Sequence, residues 1–147
     1  MLSREDLESF LIRMELEYEE VDEGMFLIRG ENSGLPVVVH YSENLLLIRM
    51  HVMDMPEENE GSVDLYRTLL ELNATDVVHG AYGIENGELI LSDYLGLETL
   101  DFPELQASME SIGLAASAHM DRIRSLAGME PEAAGAGVDD SVAGAEG

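Results

Sequence analysis

Four histidines, 31 carboxylates and no cysteine are the chain's raw material for chemistry. Without a thiol there is no disulfide framework, no thiolate metal site and no cysteine nucleophile. His40, His51, His79 and His119 carry no HExxH pattern and no i, i+4 pairing, so no zinc site is written into their spacing. One histidine has a partner of mechanistic interest. If the strands around Asn86-Gly87 pair in the register derived below, His79 falls opposite Tyr94, which would make either an acid/base couple or an ordinary hydrogen-bonded cross-strand pair.

The carboxylates are too many to single out a pair, and none sits in a distinguishing motif. The stretch 54–60 begins like a calcium loop, yet Pro56 holds its third position and Gly61 its eighth, where an EF-hand needs glycine at the sixth. GxGxxG, P-loop and GxSxG patterns are all missing, and with them the minimal parts of dinucleotide, nucleoside triphosphate and serine hydrolase chemistry. The expectation is a protein with no catalytic residues, no cofactor and no metal.

Charge narrows the partners. The net charge is −24, and all seven bases are arginine. Such a field repels phosphate, whose binding requires lysine and arginine to displace counterions, so nucleic acid is excluded. No stretch approaches the ~18 apolar residues of a membrane span, and Met1-Leu2-Ser3-Arg4-Glu5-Asp6 lacks the basic start of a secretion signal. A cytoplasmic location without membrane attachment is expected. The acidity fits either a repellent surface around a sticky binding site or life in high salt, where a lysine-free, acid-rich exterior stays hydrated.

The 147 residues give room for one domain. Ser3 caps a first helix with Asp6 as its capping-box partner and Leu2 and Leu7 as a hydrophobic staple, and the helix ends near Met14. From Tyr18 to Met55 the period is two. Runs at 25–29, 36–41 and 45–54 predict three antiparallel strands. In the longest, Leu46, Ile48, Met50 and Val52 share a core face, while Leu45, Leu47, Arg49, His51 and Met53 form a mixed one that stays partly wet or receives a partner. Met50, Met53 and Met55 add flexible thioethers to that region.

Ser62 is placed to cap a second helix ending at Asn73 in the left-handed conformation, with Tyr66, Leu69 and Leu70 as its buried stripe. Asn86-Gly87 is a type I′ turn joining 77–85 to 88–94. If Glu85 faces Glu88, then Ile84 meets Leu89 and Tyr82 meets Leu91 on the core side, with Gly83–Ile90, Ala81–Ser92 and His79–Tyr94 on the reverse. Asp101, Pro103 and Glu104 open a last helix running to about Leu126, its apolar stripe being Leu105, Met109, Ile112, Ala116, Ile123 and Leu126. The fold expected is α+β, with a five-stranded antiparallel sheet in the order α-β-β-β-α-β-β-α. The domain occupies 1–127. Residues 128–147, rich in glycine, alanine and acids, read as a disordered tail.

Several local features carry a resemblance. Leu69-Leu70-Glu71-Leu72-Asn73, Gly87-Glu88-Leu89, and Leu95-Gly96-Leu97 followed by Leu100-Asp101 and Glu104-Leu105 resemble type III secretion chaperones and the related YbjN family. Leu16-Glu17-Tyr18-Glu19-Glu20-Val21 before Gly24 and the strand exit at 52–56 tilt the likeness toward YbjN. It covers residues 3–127, and Gly96 replaces a proline usual at that point. The resemblance implies a secretion-chaperone-like fold with no inherited catalytic residue: secretion chaperones bind extended effector segments, usually as dimers, and YbjN-like proteins are described as regulators.

The expected function is therefore a non-enzymatic protein- or peptide-binding module, chaperone-like or regulatory, that captures an extended polypeptide at a strand edge or in a groove. Leu45, Leu47, Met53, Ile90 and Tyr94 are its candidate contact residues, and a homodimer is a further partner that the resemblance allows. Two alternatives stand beside it. One is a small-ligand sensor or enzyme with a pocket between sheet and helices using His79, Tyr94 or His51; the other is a self-associating structural protein.

Overall fold

The computed structural model describes residues 1–29 and 34–129. Its elements run α1 (Arg4–Arg13), β1 (Tyr18–Asp22), β2 (Met25–Ile28), β3 (Val37–Tyr41), β4 (Leu45–Asp54), α2 (Ser62–Thr75), β5 (Ala81–Glu85), β6 (Glu88–Gly96) and α3 (Phe102–Leu126). The strands form one antiparallel sheet in the order β1-β2-β3-β4-β6-β5. It has six strands, not five. The additional one is β1, whose Tyr-Glu-Glu-Val-Asp sequence lacks apolar alternation because it is an edge strand with four of its five residues exposed. The expected disordered tail falls, from residue 130 onward, outside the described residues, as does the 30–33 part of the turn between β2 and β3.

Both capping boxes form as the sequence implies. The Ser3 hydroxyl accepts from the Asp6 amide at 3.0 Å and the Asp6 carboxylate from the Ser3 amide at 3.1 Å; Asp101 and Glu104 repeat the exchange at α3. Each satisfies two amides that the first helical turn leaves without intrahelical partners.

Helix α2 departs from expectation. Gly61 is its N-cap and contributes no side-chain bond, while the Ser62 hydroxyl turns back to accept from the Asn59 amide at 2.9 Å. The helix runs on past Asn73 to Thr75. Its buried residues are Leu65, Thr68, Leu69 and Leu72, and Leu70 is 69% exposed.

All three helices pack on one face of the sheet. Leu7 and Leu11 of α1, Leu65 of α2, and Leu105, Ile112 and Ile123 of α3 meet Phe26, Val39, Ile48, Met50, Leu89 and Leu91 in a single buried core. Phe102 at the start of α3 docks edge-on against Phe10 of α1 at 5.5 Å, and the Arg13 guanidinium stacks on its ring at 3.8 Å. The Arg4 guanidinium pairs with Glu20, tying α1 to the edge strand.

A β-bulge interrupts β4 between His51 and Met53. Before it, His51 pairs with Ile90 and points away from the helices; after it, Met53 pairs with Leu89 and points into the core. Val52 is the extra residue, and Val52 and Met53 are both buried. The strict alternation expected for this strand therefore holds through Val52 and fails at Met53 and Asp54.

Candidate functional site

The face of the sheet turned away from the helices has no helix over it among the described residues. Register lays its side chains in rows. Met25, His40, Leu47 and Tyr94 form one row across β2, β3, β4 and β6; Leu27, Val38, Arg49, Ser92 and Ala81 form the next. The apolar members Met25, Leu27, Val38 and Leu47 are half-buried by their neighbours, while Leu45 is 44% and Tyr94 56% exposed.

Of the five candidate contact residues, Leu45, Leu47 and Tyr94 meet on this face, with Leu47 directly opposite Tyr94. Met53 does not. The bulge delivers it to the core, where it is 5% exposed, and Met50 joins it there, so these thioethers serve packing. Ile90 lies on the open face yet is 8% exposed. The ion pair between Arg49 Nη1 and Glu85 Oε1, 2.5 Å apart, bridges the two rows that flank the His51–Ile90–Gly83 row. Arg49 thus lies across the position that Ile90 would otherwise offer a partner.

Sequence reasoning missed Met25, Leu27, Val38 and His40. Their signal was present: each alternates with a core residue in β2 or β3, and four antiparallel strands with helices on one side expose whatever alternates outward.

The His79–Tyr94 pair does not form. Gly80, at φ +94°, turns the chain so that β5 begins at Ala81, and His79 instead donates its amide to the Ser111 hydroxyl on α3 at 3.0 Å. Tyr94 and His51 stand on the open face and His79 against α3, so the three polar groups envisaged for a ligand pocket are not brought together.

The buried histidine is His119. It occupies the slot three residues after Ala116 and four before Ile123 in the stripe of α3, so the sequence placed it among core positions. Its Nδ1 lies 2.9 Å from the Tyr82 hydroxyl and its Nε2 3.2 Å from Asp76 Oδ2. The Nε2–H tautomer satisfies both bonds, donating to Asp76 and accepting from Tyr82. The Thr75 hydroxyl, and next the His119 ring, hold the Asp76 carboxyl below its ordinary range. Burial, helped by the Asp76 charge, pushes the Tyr82 phenol far above its own. A phenol so held remains protonated and serves as a fixed donor, not as a base or nucleophile. The array joins the end of α2, strand β5 and helix α3.

Strand β5 is the sheet edge beside α2, and the edge is plugged. Asn73 Oδ1 accepts from the Tyr82 amide at 2.7 Å, and its Nδ2 donates to the Tyr82 carbonyl at 3.2 Å. Capture of a polypeptide by strand addition here would require this side chain to leave. The other edge, β1, carries Glu19, Glu20 and Asp22.

The family follows from comparison. Residues 2–129 match the CesT_Tir_1 family model. The chain belongs to this family of type III secretion chaperones. Solved structures agree on the fold. A chain of the heterodimeric ExoU–SpcU complex from the type III secretion system of Pseudomonas aeruginosa superposes with a TM-score of 0.61 at 15% identity, covering 84% of this chain and 98% of that one. YbjN from E. coli, described as a candidate transcription regulator, gives 0.60 at 12%, covering 82% and 93%. A chain of the HopA1–SchA chaperone–effector complex gives 0.57 at 16%, covering 78% and 90%. No curated protein sequence matches the chain significantly. The resemblance to the YbjN and secretion-chaperone group is thereby borne out, as is the α+β architecture.

Proposed function

We propose that this chain is a non-enzymatic, chaperone-like module that binds a polypeptide segment on the open face of its sheet. Membership in a secretion-chaperone family supports the class of function. The observation that carries the mode is the row Met25, His40, Leu47 and Tyr94, which crosses four strands with no helix over it among the described residues. The face carries Met25, Leu27, Val38, Leu47 and Tyr94 around His40 and Arg49, with Glu19, Asp54 and Glu88 at its margins, so it suits a segment of alternating apolar residues with basic flanks. Nucleic acid and anionic membranes are disfavoured as partners by the net charge of −24, and among the described residues no helix is long and apolar enough to cross a membrane.

A photo-crosslinking residue placed at Leu47 or Tyr94 in cells should capture a polypeptide, and the same probe at Glu60 should not. Equal capture at all three positions, or none, would count against the face.

Self-association is a second reading with its own surface. Val63 and Leu70 on the outer side of α2 and Ile84 on β5 are exposed large apolar residues, and a cavity of about 250 Å³ beside them is lined by Tyr66, Leu69, Leu70 and Ile84. A C2 dimer would bring this patch against its own copy. Sedimentation at two concentrations, with wild type and Leu70→Glu, tests it without involving the open face.

A further inference from the structure

The bulge in β4 also relocates a carboxylate. In an unbroken strand His51 and Asp54 would project to opposite faces, because they stand three positions apart and the side-chain period is two. With Val52 inserted as the extra residue, Asp54 returns to the open side, where His51 Nε2 stands 3.0 Å from its Oδ1. Across the ladder Asp54 pairs directly with Glu88, whose Oε1 is 4.0 Å from the same nitrogen. The three donor atoms all lie within 4.8 Å of one another.

The geometry points to a divalent transition-metal site formed by His51, Asp54 and Glu88. Three features favour a cation over a chance meeting of surface groups. First, the ladder holds Asp54 opposite Glu88 and Glu88 opposite Glu85, a line of three carboxylates across three strands. Like charges in direct cross-strand register are unfavourable. Arg49 neutralises Glu85, and no arginine is paired with Asp54 or Glu88 among the described ion pairs.

Second, the backbone under the site is fixed. The Met55 amide bonds the Gly87 carbonyl at 2.8 Å just beyond the pair, and the tight Asn86-Gly87 turn closes the hairpin. Third, the three side chains are exposed and their donor atoms already lie within 4.8 Å of one another, and zinc takes nitrogen and oxygen ligands at ~2.0–2.2 Å.

An imidazole with two carboxylates selects a borderline cation such as Zn²⁺, Ni²⁺ or Co²⁺ over Mg²⁺ or Ca²⁺, which prefer all-oxygen shells. Three protein ligands leave a coordination position for water or for a donor from another molecule. The site lies at one end of the open face but does not depend on that face binding a polypeptide.

Calorimetric titration of the full chain with Zn²⁺, together with the visible spectrum of the Co²⁺ form, tests the assignment. One ion per chain is expected, with a Co²⁺ spectrum showing nitrogen ligation and affinity unaffected by excess Mg²⁺. His51→Ala and Asp54→Asn should each weaken Zn²⁺ binding about tenfold or more, with Glu57→Gln as an acidic control that leaves it within about twofold. Circular dichroism of each variant establishes that it is folded. Unsaturable binding of several ions, displacement by Mg²⁺, or unchanged affinity in folded His51→Ala would overturn the site and leave only a diffuse acidic surface.

Discussion

Asn73 holds the backbone of Tyr82 by both of its polar groups, and the Tyr82 side chain in turn reaches His119. One residue of β5 is thus bonded to α2 through its main chain and to α3 through its phenol. Because Tyr82 is on an edge strand, the clasp replaces the ladder bonds that a further strand would supply, and protects the edge from pairing with another chain. Asn73→Ala removes both bonds and leaves a part-buried amide and carbonyl without these partners. A loss of about 1–3 kcal/mol is expected in urea denaturation, with greater concentration-dependent association than wild type. Unchanged stability would show that water substitutes for the amide.

The Tyr82 phenol makes a prediction about alkaline pH. Its folded pKa is raised by burial, so its contribution is fully present below the ordinary value of 10.0 and is lost as pH climbs from there toward the folded value. Wild-type stability should decline above about pH 10. Tyr82→Phe should be less stable at neutral pH by about 1 kcal/mol, since His119 Nδ1 loses its donor, and should show a shallower alkaline decline. Chemical denaturation at pH 8 and pH 11 reads both, and equal slopes for the two proteins would refute the assignment.

At the acid end two effects oppose each other. Glu20, held down first by its hydrogen bond to Arg4, and Asp76, held down first by Thr75, have depressed folded pKa values. Their contributions are present above the ordinary 4.5 and 3.8 and are lost as pH falls below those values. Against this, protonating other carboxylates relieves the self-repulsion of a chain carrying −24. At low ionic strength the melting temperature should therefore peak at about pH 5–6 and fall at more acid pH. Glu20→Gln should blunt the fall. A maximum above pH 7 would contradict this balance.

The same repulsion predicts a salt response. Exposed charges interact across about 10 Å at 0.1 M salt and about 3 Å at 1 M. If the acidity is an adaptation to salt, melting temperature should rise steadily from dilute to molar KCl. A flat response would mean that the acids are spaced widely enough to ignore one another and that their role is to repel unwanted partners.

How much of this was legible depended on whether the signal was local. Asn86 and Gly87 both adopt positive φ, so the type I′ turn and every pair from Glu85–Glu88 to Ala81–Ser92 followed from two residues. Ser3 with Asp6 and Asp101 with Glu104 announced their helices equally well. Edge strand β1 was hidden because its acids look like loop, and its pairing is fixed by β2 and by the Arg4–Glu20 contact from α1. Met53 was misplaced because a bulge is a property of two strands together; nothing in β4 alone says that its partner runs one residue short. His119 was overlooked for a different reason. Its position in the stripe of α3 was plain, but a polar residue there is intelligible only with Tyr82 and Asp76 beside it.

Gly80 supplies the sharpest test of how β5 begins. Its φ of +94° is a conformation that side chains of L-residues rarely adopt, and a Cβ built there would stand 2.6 Å from the Ser92 carbonyl oxygen. That oxygen belongs to β6, so it cannot retreat without disturbing the strand that pairs with both β4 and β5. Gly80→Ala therefore has to re-route the loop between α2 and β5, breaking the bond from the His79 amide to Ser111 and pulling on Tyr82 two residues along. A loss of about 1–3 kcal/mol is expected from the backbone conformation alone. Hydrogen exchange should localise it: the Ala81–Glu85 amides lose protection, while those of β2 and β3 keep theirs. Uniform loss across the sheet would mean that the β5 hairpin does not open as a separate unit.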